Sequence, residues 1–165
     1  MEARAKSIKL LVMDCDGVLT DGRLYFGPTG EELKVFDVRD GQGIVTWHRA
    51  GFLSAIISGR DSPIVQVRGD SLGIRFVRQG IKDKLPVLIE LAAEAGVTLD
   101  EVAFIGDDIP DLEVMQNVGF AVAVADAMDV IKDVAHHITL NNGGRGAVRE
   151  LIDLLLTAKD PLPLE

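Results

Sequence analysis

Five short, almost wholly apolar runs recur along the chain, and each is followed by a stretch of helix length. The runs cover residues 8–13, 53–57, 74–77, 102–105 and 120–124. A strand with one face in water alternates apolar and polar residues, whereas an unbroken apolar run belongs to a strand buried on both faces. The intervening stretches, 43–50, 62–72, 84–95, 111–117 and 145–158, read as helices. In 84–95, Leu85, Leu88, Ile89, Leu91 and Ala92 recur at helical spacing and Gly96 stands where a C-terminal cap belongs. Strands alternating with helices imply right-handed crossovers and a parallel sheet covered on both sides. The expected fold is a doubly wound, Rossmann-like α/β sandwich.

At 165 residues the chain suits a single domain, residues 1–165, without a large cap domain. Its formal charge of -9 disfavours nucleic acid and anionic membranes as partners, because no basic stripe is available to displace counterions. An anionic small molecule stays open, since a metal and a few local cations reverse the field inside one pocket. The single cysteine, Cys15, excludes an intrachain disulfide and a zinc cluster, and is expected to sit on the core side. His48, His136 and His137 lack metal-ligand spacing. The opening residues read as neither a signal peptide nor a membrane span, which makes the cytoplasm the default location.

One stretch departs from the alternation. Residues 23–38 place β-formers on both sides of Gly27-Pro28-Thr29-Gly30, a turn cluster, and so predict a β-hairpin inserted after the first strand. Decoration, a flap over a site and an oligomer contact are all open for it. Residues 159–165, with Pro161 and Pro163, are expected to be an extended tail.

In open α/β sheets a ligand lies beyond the carboxyl ends of the strands. The first strand delivers Asp14, Asp16 and Gly17 there; the second, Ser58, Gly59 and Arg60. The segment after the third delivers Gln79, Gly80, Lys82 and Lys84, and the fourth Gly106, Asp107, Asp108 and Asp111. Two acids leaving one buried strand repel each other unless a cation separates them. An EF-hand is excluded, because Val18 stands at the fifth loop position and the glycine falls fourth. An oxygen-only site with few protein ligands suits magnesium. Ser58-Gly59-Arg60, read as opening a helix, makes a phosphate seat. Plain alternatives stand beside these readings: Asp107, Asp108 or Ser58 as a helix N-cap, Lys84 as a solvated lysine, Arg60 as a surface residue.

With those residues assembled, the chain resembles the haloacid dehalogenase superfamily of phosphohydrolases. The motifs follow in order: DCDGVLTDG from Asp14, SGR from Ser58, the lysine of KDK at Lys84, and GDDIPD with Asp107. The hairpin, FDVRDGQGI (36–44), QGIKDK and GGRGAVREL (143–151) are similar to the 3-deoxy-D-manno-octulosonate 8-phosphate phosphatase family within it.

The resemblance implies a magnesium-dependent phosphatase acting on a small sugar-acid phosphate, assembled as a homotetramer. It implies Asp14 as nucleophile, kept ionised by the metal and Lys84, and Asp16 as acid and then base. Asp14, Asp107 and the Asp16 carbonyl would hold Mg2+. Ser58, Gly59 and Lys84 would hold phosphate, Asp108 and Asp111 would orient metal waters, and Arg60 and Arg145 would meet the substrate carboxylate. Phosphatases of nine-carbon sialic-type acid phosphates are close relatives and stay open at this point. Phosphoprotein or nucleic-acid-end phosphatases and a non-catalytic oligomerisation module are further readings. Dehalogenation fits poorly because Asp16 marks a phosphatase.

Overall fold

A computed structural model of the chain describes residues 2–159, the side chains of Glu31 and Glu32 excepted. The expected tail therefore lies outside the described residues, apart from Lys159. The elements run α1 (Glu2–Ser7), β1 (Leu10–Met13), β2 (Tyr25–Gly27), β3 (Gly30–Leu33), α2 (Val38–Arg49), β4 (Leu53–Ile57), α3 (Pro63–Leu72) and β5 (Phe76–Arg78). They continue through α4 (Lys84–Ala95), β6 (Val102–Gly106), α5 (Leu112–Met115), β7 (Phe120–Ala123), α6 (Asp129–Val134), β8 (His137–Ile138) and α7 (Ala147–Lys159).

Six strands form one parallel sheet in the order β5-β4-β1-β6-β7-β8, while β2 and β3 pair separately as an antiparallel hairpin. Leu10 sits opposite Leu53 on one side and Val102 on the other, and all four residues of β1 are buried. Helices α1, α2 and α7 pack together, as do α4, α5 and α6. The chain winds outward from β1 to β5, then returns to β6 and winds the other way. That reversal opens a crevice at the carboxyl end of β1.

Several boundaries differ from expectation. Helix α2 starts at Val38 rather than 43, because the Asp37 carboxylate caps it by accepting from Arg39 N at 2.7 Å. Gly43 inside it lets α2 approach α7 closely: a Cβ there would lie 3.0 Å from Arg149 Cδ. The hairpin is shorter than 23–38, since its strands end at Leu33 and α2 claims Val38. The third strand runs Phe76–Arg78 instead of 74–77. The stretch 111–117 is a 3₁₀ turn, Ile109–Asp111, followed by the single turn of α5. The last helix starts at Ala147, two residues later than expected, and Ile89 of α4 faces solvent.

Ser58-Gly59-Arg60 does not open a helix. Ser62 is the N-cap and Pro63 the first helical residue, the position where proline's fixed φ and missing N–H cost least.

Candidate active site

Each of the four motif segments continues a strand end or begins a helix. Asp14 follows β1 and extends its ladder, donating from N to Ile105 O at 3.1 Å. Lys84 is the first residue of α4, yet it is buried. Its Nζ donates to Asp14 Oδ1 and to Asp111 Oδ1, both at 2.6 Å. Asp111 is buried in the turn after β6, and its Oδ2 accepts from Asp107 N at 3.0 Å. One ammonium thus ties the first motif to the last.

A cleft of about 270 Å³ opens beside this cluster, lined by Asp14, Asp16, Ser58, Gly59, Arg60 and Lys84 together with Asp107, Asp108, Pro110 and Asp111. Every residue to which the resemblance gives a role reaches it except Arg145, whereas Gln79, Gly80 and Lys82 stay outside the lining. That side chain, 63% exposed, sits 3.6 Å from Asp21 Oδ2 and outside the lining. Ser58 is buried on a loop laced to the segment after β5, donating from N to Arg78 O and accepting at O from Ile81 N. Asp108 caps its own turn, accepting from Ile109 N at 2.7 Å. Asp111 has one carboxylate oxygen committed to Lys84 and the other to Asp107 N, a structural engagement beyond the expected task of orienting waters.

Backbone glycines make the close approach possible. Gly17 adopts φ +98°, and a Cβ there would lie 2.0 Å from Asp107 Oδ2. Behind it, a Cβ on Gly143 would lie 1.7 Å from Gly17 O, and Gly144 N donates to Val18 O at 2.8 Å. The GGRG segment thus wedges the first-motif loop against Asp107. It is anchored by the Asp126 carboxylate at Gly143 N and by buried Asp40, which accepts from Gly146 N and Arg149 N.

The cluster is built to receive a cation. Carboxylate oxygens of Asp14, Asp107 and Asp111 lie within 4.8 Å of one another. Burial first, then the charge of neighbouring Asp111, pushes the Asp14 carboxyl up to about 6, with Lys84 pulling the other way. Burial, then Asp14, Asp111 and Asp108, pushes Asp107 up to about 8. Burial alone would lower Lys84, but Asp14 and Asp111 outweigh it and hold the ammonium above its usual range. One lysine does not balance this many carboxylates, and a hard divalent ion with oxygen ligands would.

Two contributors are not evident from the sequence. Lys34, just past β3, forms an ion pair with Asp16 Oδ1, and Asp40 ties α2 to the start of α7. The only hint of Lys34 is a charged residue set between apolar Leu33 and Val35 in an extended segment. Cys15 is buried next to Asp14, as expected. His48 pairs with Ser54 Oγ at 2.7 Å and His136 Nδ1 accepts from Ala121 N, so neither serves the cleft.

A model of the haloacid dehalogenase-like hydrolase family matches residues 65–152, more than half of the chain. The chain belongs to the haloacid dehalogenase-like hydrolases. Among members of the family, the 3-deoxy-D-manno-octulosonate 8-phosphate phosphatase of Yersinia pestis is 48% identical over 159 residues, spanning 96% of this chain and 85% of that protein. A solved structure of the phosphatase of that name from Yersinia pestis superposes with TM-score 0.95 at 47% identity, covering 98% of this chain and 87% of the other. The phosphatase from Moraxella catarrhalis, solved with magnesium ion, phosphate ion and a KDO molecule, superposes with TM-score 0.94 at 41% identity, covering 96% and 91%. Haloacid dehalogenase-like hydrolases of this kind share the sheet described above.

Proposed function

We propose that the chain is a magnesium-dependent phosphatase that hydrolyses 3-deoxy-D-manno-octulosonate 8-phosphate, a step toward a lipopolysaccharide sugar. The observation that carries the reading is Asp14, gripped by buried Lys84 beside Asp16 in a carboxylate-rich cleft at the reversal of strand order. The relatives named for that activity, and the one solved with magnesium and KDO, support it. The nine-carbon alternative is not favoured, since none of these relatives bears such a name.

Asp14 and Asp107, with the backbone carbonyl of Asp16, would hold the ion, and Asp108 and Asp111 would lie around it. Bound there, magnesium offsets the charge of phosphate and carboxylates brought together. The chain's own residues then divide the work. Asp14 attacks phosphorus, forming an aspartyl-phosphate. This splits one very slow hydrolysis into two easier displacements. Asp16 gives a proton to the departing alkoxide and later takes one from the attacking water. Ser58, the Gly59 backbone and Lys84 stabilise the equatorial phosphoryl oxygens, where the transition-state charge resides. Arg60, already in the cleft, meets the substrate carboxylate with its planar fork. Arg145 would join it only by leaving Asp21.

We assign a homotetramer and a cytoplasmic setting to the same reading. The outward apolar row on the hairpin, with Phe26 62% exposed, supports assembly, and the single cysteine suits a reducing compartment. Phosphate release from the eight-carbon keto-acid 8-phosphate and from a sialic-type acid 9-phosphate tests the assignment. The expected kcat/KM is higher for the eight-carbon ester, and a preference for the nine-carbon ester would overturn it.

A further inference from the structure

The hairpin carries its polarity inside out. Leu33 and Val35 are 60% and 59% exposed, while the side chain of Lys34 between them is 1% exposed. Successive residues of an extended segment point to opposite sides. A hairpin shaped only by its own stability would turn the leucine and valine inward and the lysine to water. Burying an ammonium is unfavourable unless an anion meets it. Lys34 Nζ meets Asp16 Oδ1 in a hydrogen-bonded ion pair.

The two oxygens of Asp16 are thereby made unequal. Oδ1 is taken by a group that only donates. Oδ2 is buried and accepts no hydrogen bond among the described residues, and Arg60 Nε stands 3.5 Å from it. Asp16 lines the cleft next to Asp14.

We propose that Lys34 is a positioning residue for the phosphatase reaction: it pins Asp16 by Oδ1 and so presents Oδ2 to the ester oxygen. The proposal rests on the reading of Asp16 as proton donor and acceptor. In the first half-reaction a bond forms between the Asp14 carboxylate and phosphorus, the bond from phosphorus to the alkyl oxygen breaks, and the proton on Oδ2 passes to that departing oxygen. In the second, water gives a proton to Oδ2 as its oxygen joins phosphorus. The Asp14–phosphorus bond breaks and inorganic phosphate leaves. Without the ammonium the carboxyl would turn about its Cβ–Cγ bond, and the aligned arrangement would be one orientation among several.

Leaving-group dependence tests this. The full chain with magnesium is assayed for kcat/KM, which covers steps up to the aspartyl-phosphate, on an alkyl sugar-acid phosphate and on p-nitrophenyl phosphate. Nitrophenolate departs without a proton and an alkoxide does not. Lys34→Met is expected to lose about tenfold to 10²-fold on the alkyl ester, within what general acid catalysis supplies, and only a few-fold on the aryl ester. Asp16→Asn should discriminate in the same direction, and Lys34→Arg should recover part of the alkyl activity. Equal losses on both esters, as misfolding or lost phosphate affinity would give, or no loss on either, overturn the role of Lys34. They leave Asp16 as the acid if Asp16→Asn still discriminates. If Asp16→Asn loses both activities equally, the acid reading and the proposal fall together.

Discussion

The Asp14–Lys84–Asp111 cluster rises from strands buried on both faces, whereas the hairpin leaves the first of those strands and pairs only with itself. In the cluster, charged groups are buried against one another around a single ammonium. In the hairpin segment, apolar residues are exposed and the buried charge of Lys34 reaches back to Asp16. The first arrangement is fixed by the core and can hold an ion between rigid walls. The second depends on what covers its outer face. The groups that need fixed distances therefore stand on the sheet, and the element that touches Asp16 stands outside it.

If the cluster is held by its lysine, Lys84→Met should be severe. It leaves Asp14 and Asp111 buried face to face, so a loss of about 3 kcal/mol in urea unfolding of the chelated protein is expected. A fall in kcat of about 10²-fold or more should accompany it. A variant that keeps both properties would show that the carboxylates do not need that ammonium.

The next contrast is in pH. Asp14 and Asp107 ordinarily titrate near 3.8 and are pushed up to about 6 and about 8, by burial first and neighbouring carboxylates second. The folded state holds these protons more tightly than the unfolded one. Their stabilisation is therefore complete below about pH 4 and lost as pH rises through about 6 and then about 8. Magnesium replaces those protons, so its increment in Tm should be small at pH 5 and greatest near pH 8. An increment that does not change with pH would separate metal binding from these two groups.

The hairpin should respond in the opposite way. Phe26→Ser with Leu33→Ser should change urea unfolding of the isolated subunit by no more than about 0.5 kcal/mol per site, since these side chains are exposed. Light scattering should nevertheless report a smaller assembly. A large loss of subunit stability with unchanged mass would mean that the hairpin is packed as the core is.

Residues buried on two faces were legible because an unbroken apolar run of strand length needs cover on both sides, and the strand ends so predicted do carry the cleft. Legibility failed where tertiary contact overrode local preference. Gly41 argues against a helix, yet α2 passes through it from Val38, and Gly43 lies close against Arg149 of α7. The edge strand β8 is two residues long and includes a histidine, too short for any period. Ser62-Pro63 was the available signal for the true start of α3. Arg145 could be placed by motif but not by geometry, because its contact with Asp21 joins distant parts of the chain. Lys34 left almost no trace, since its role depends on which side of an extended segment meets Asp16.

The wedge of Gly143 beneath Gly17 has a consequence for biosynthesis. All four motif segments emerge from the ribosome before residue 143 does, so a nascent chain carries the reactive groups without the buttress that sets the first-motif loop against Asp107. A polypeptide interrupted before residue 143 would keep its acids and lack the glycine wedge behind them.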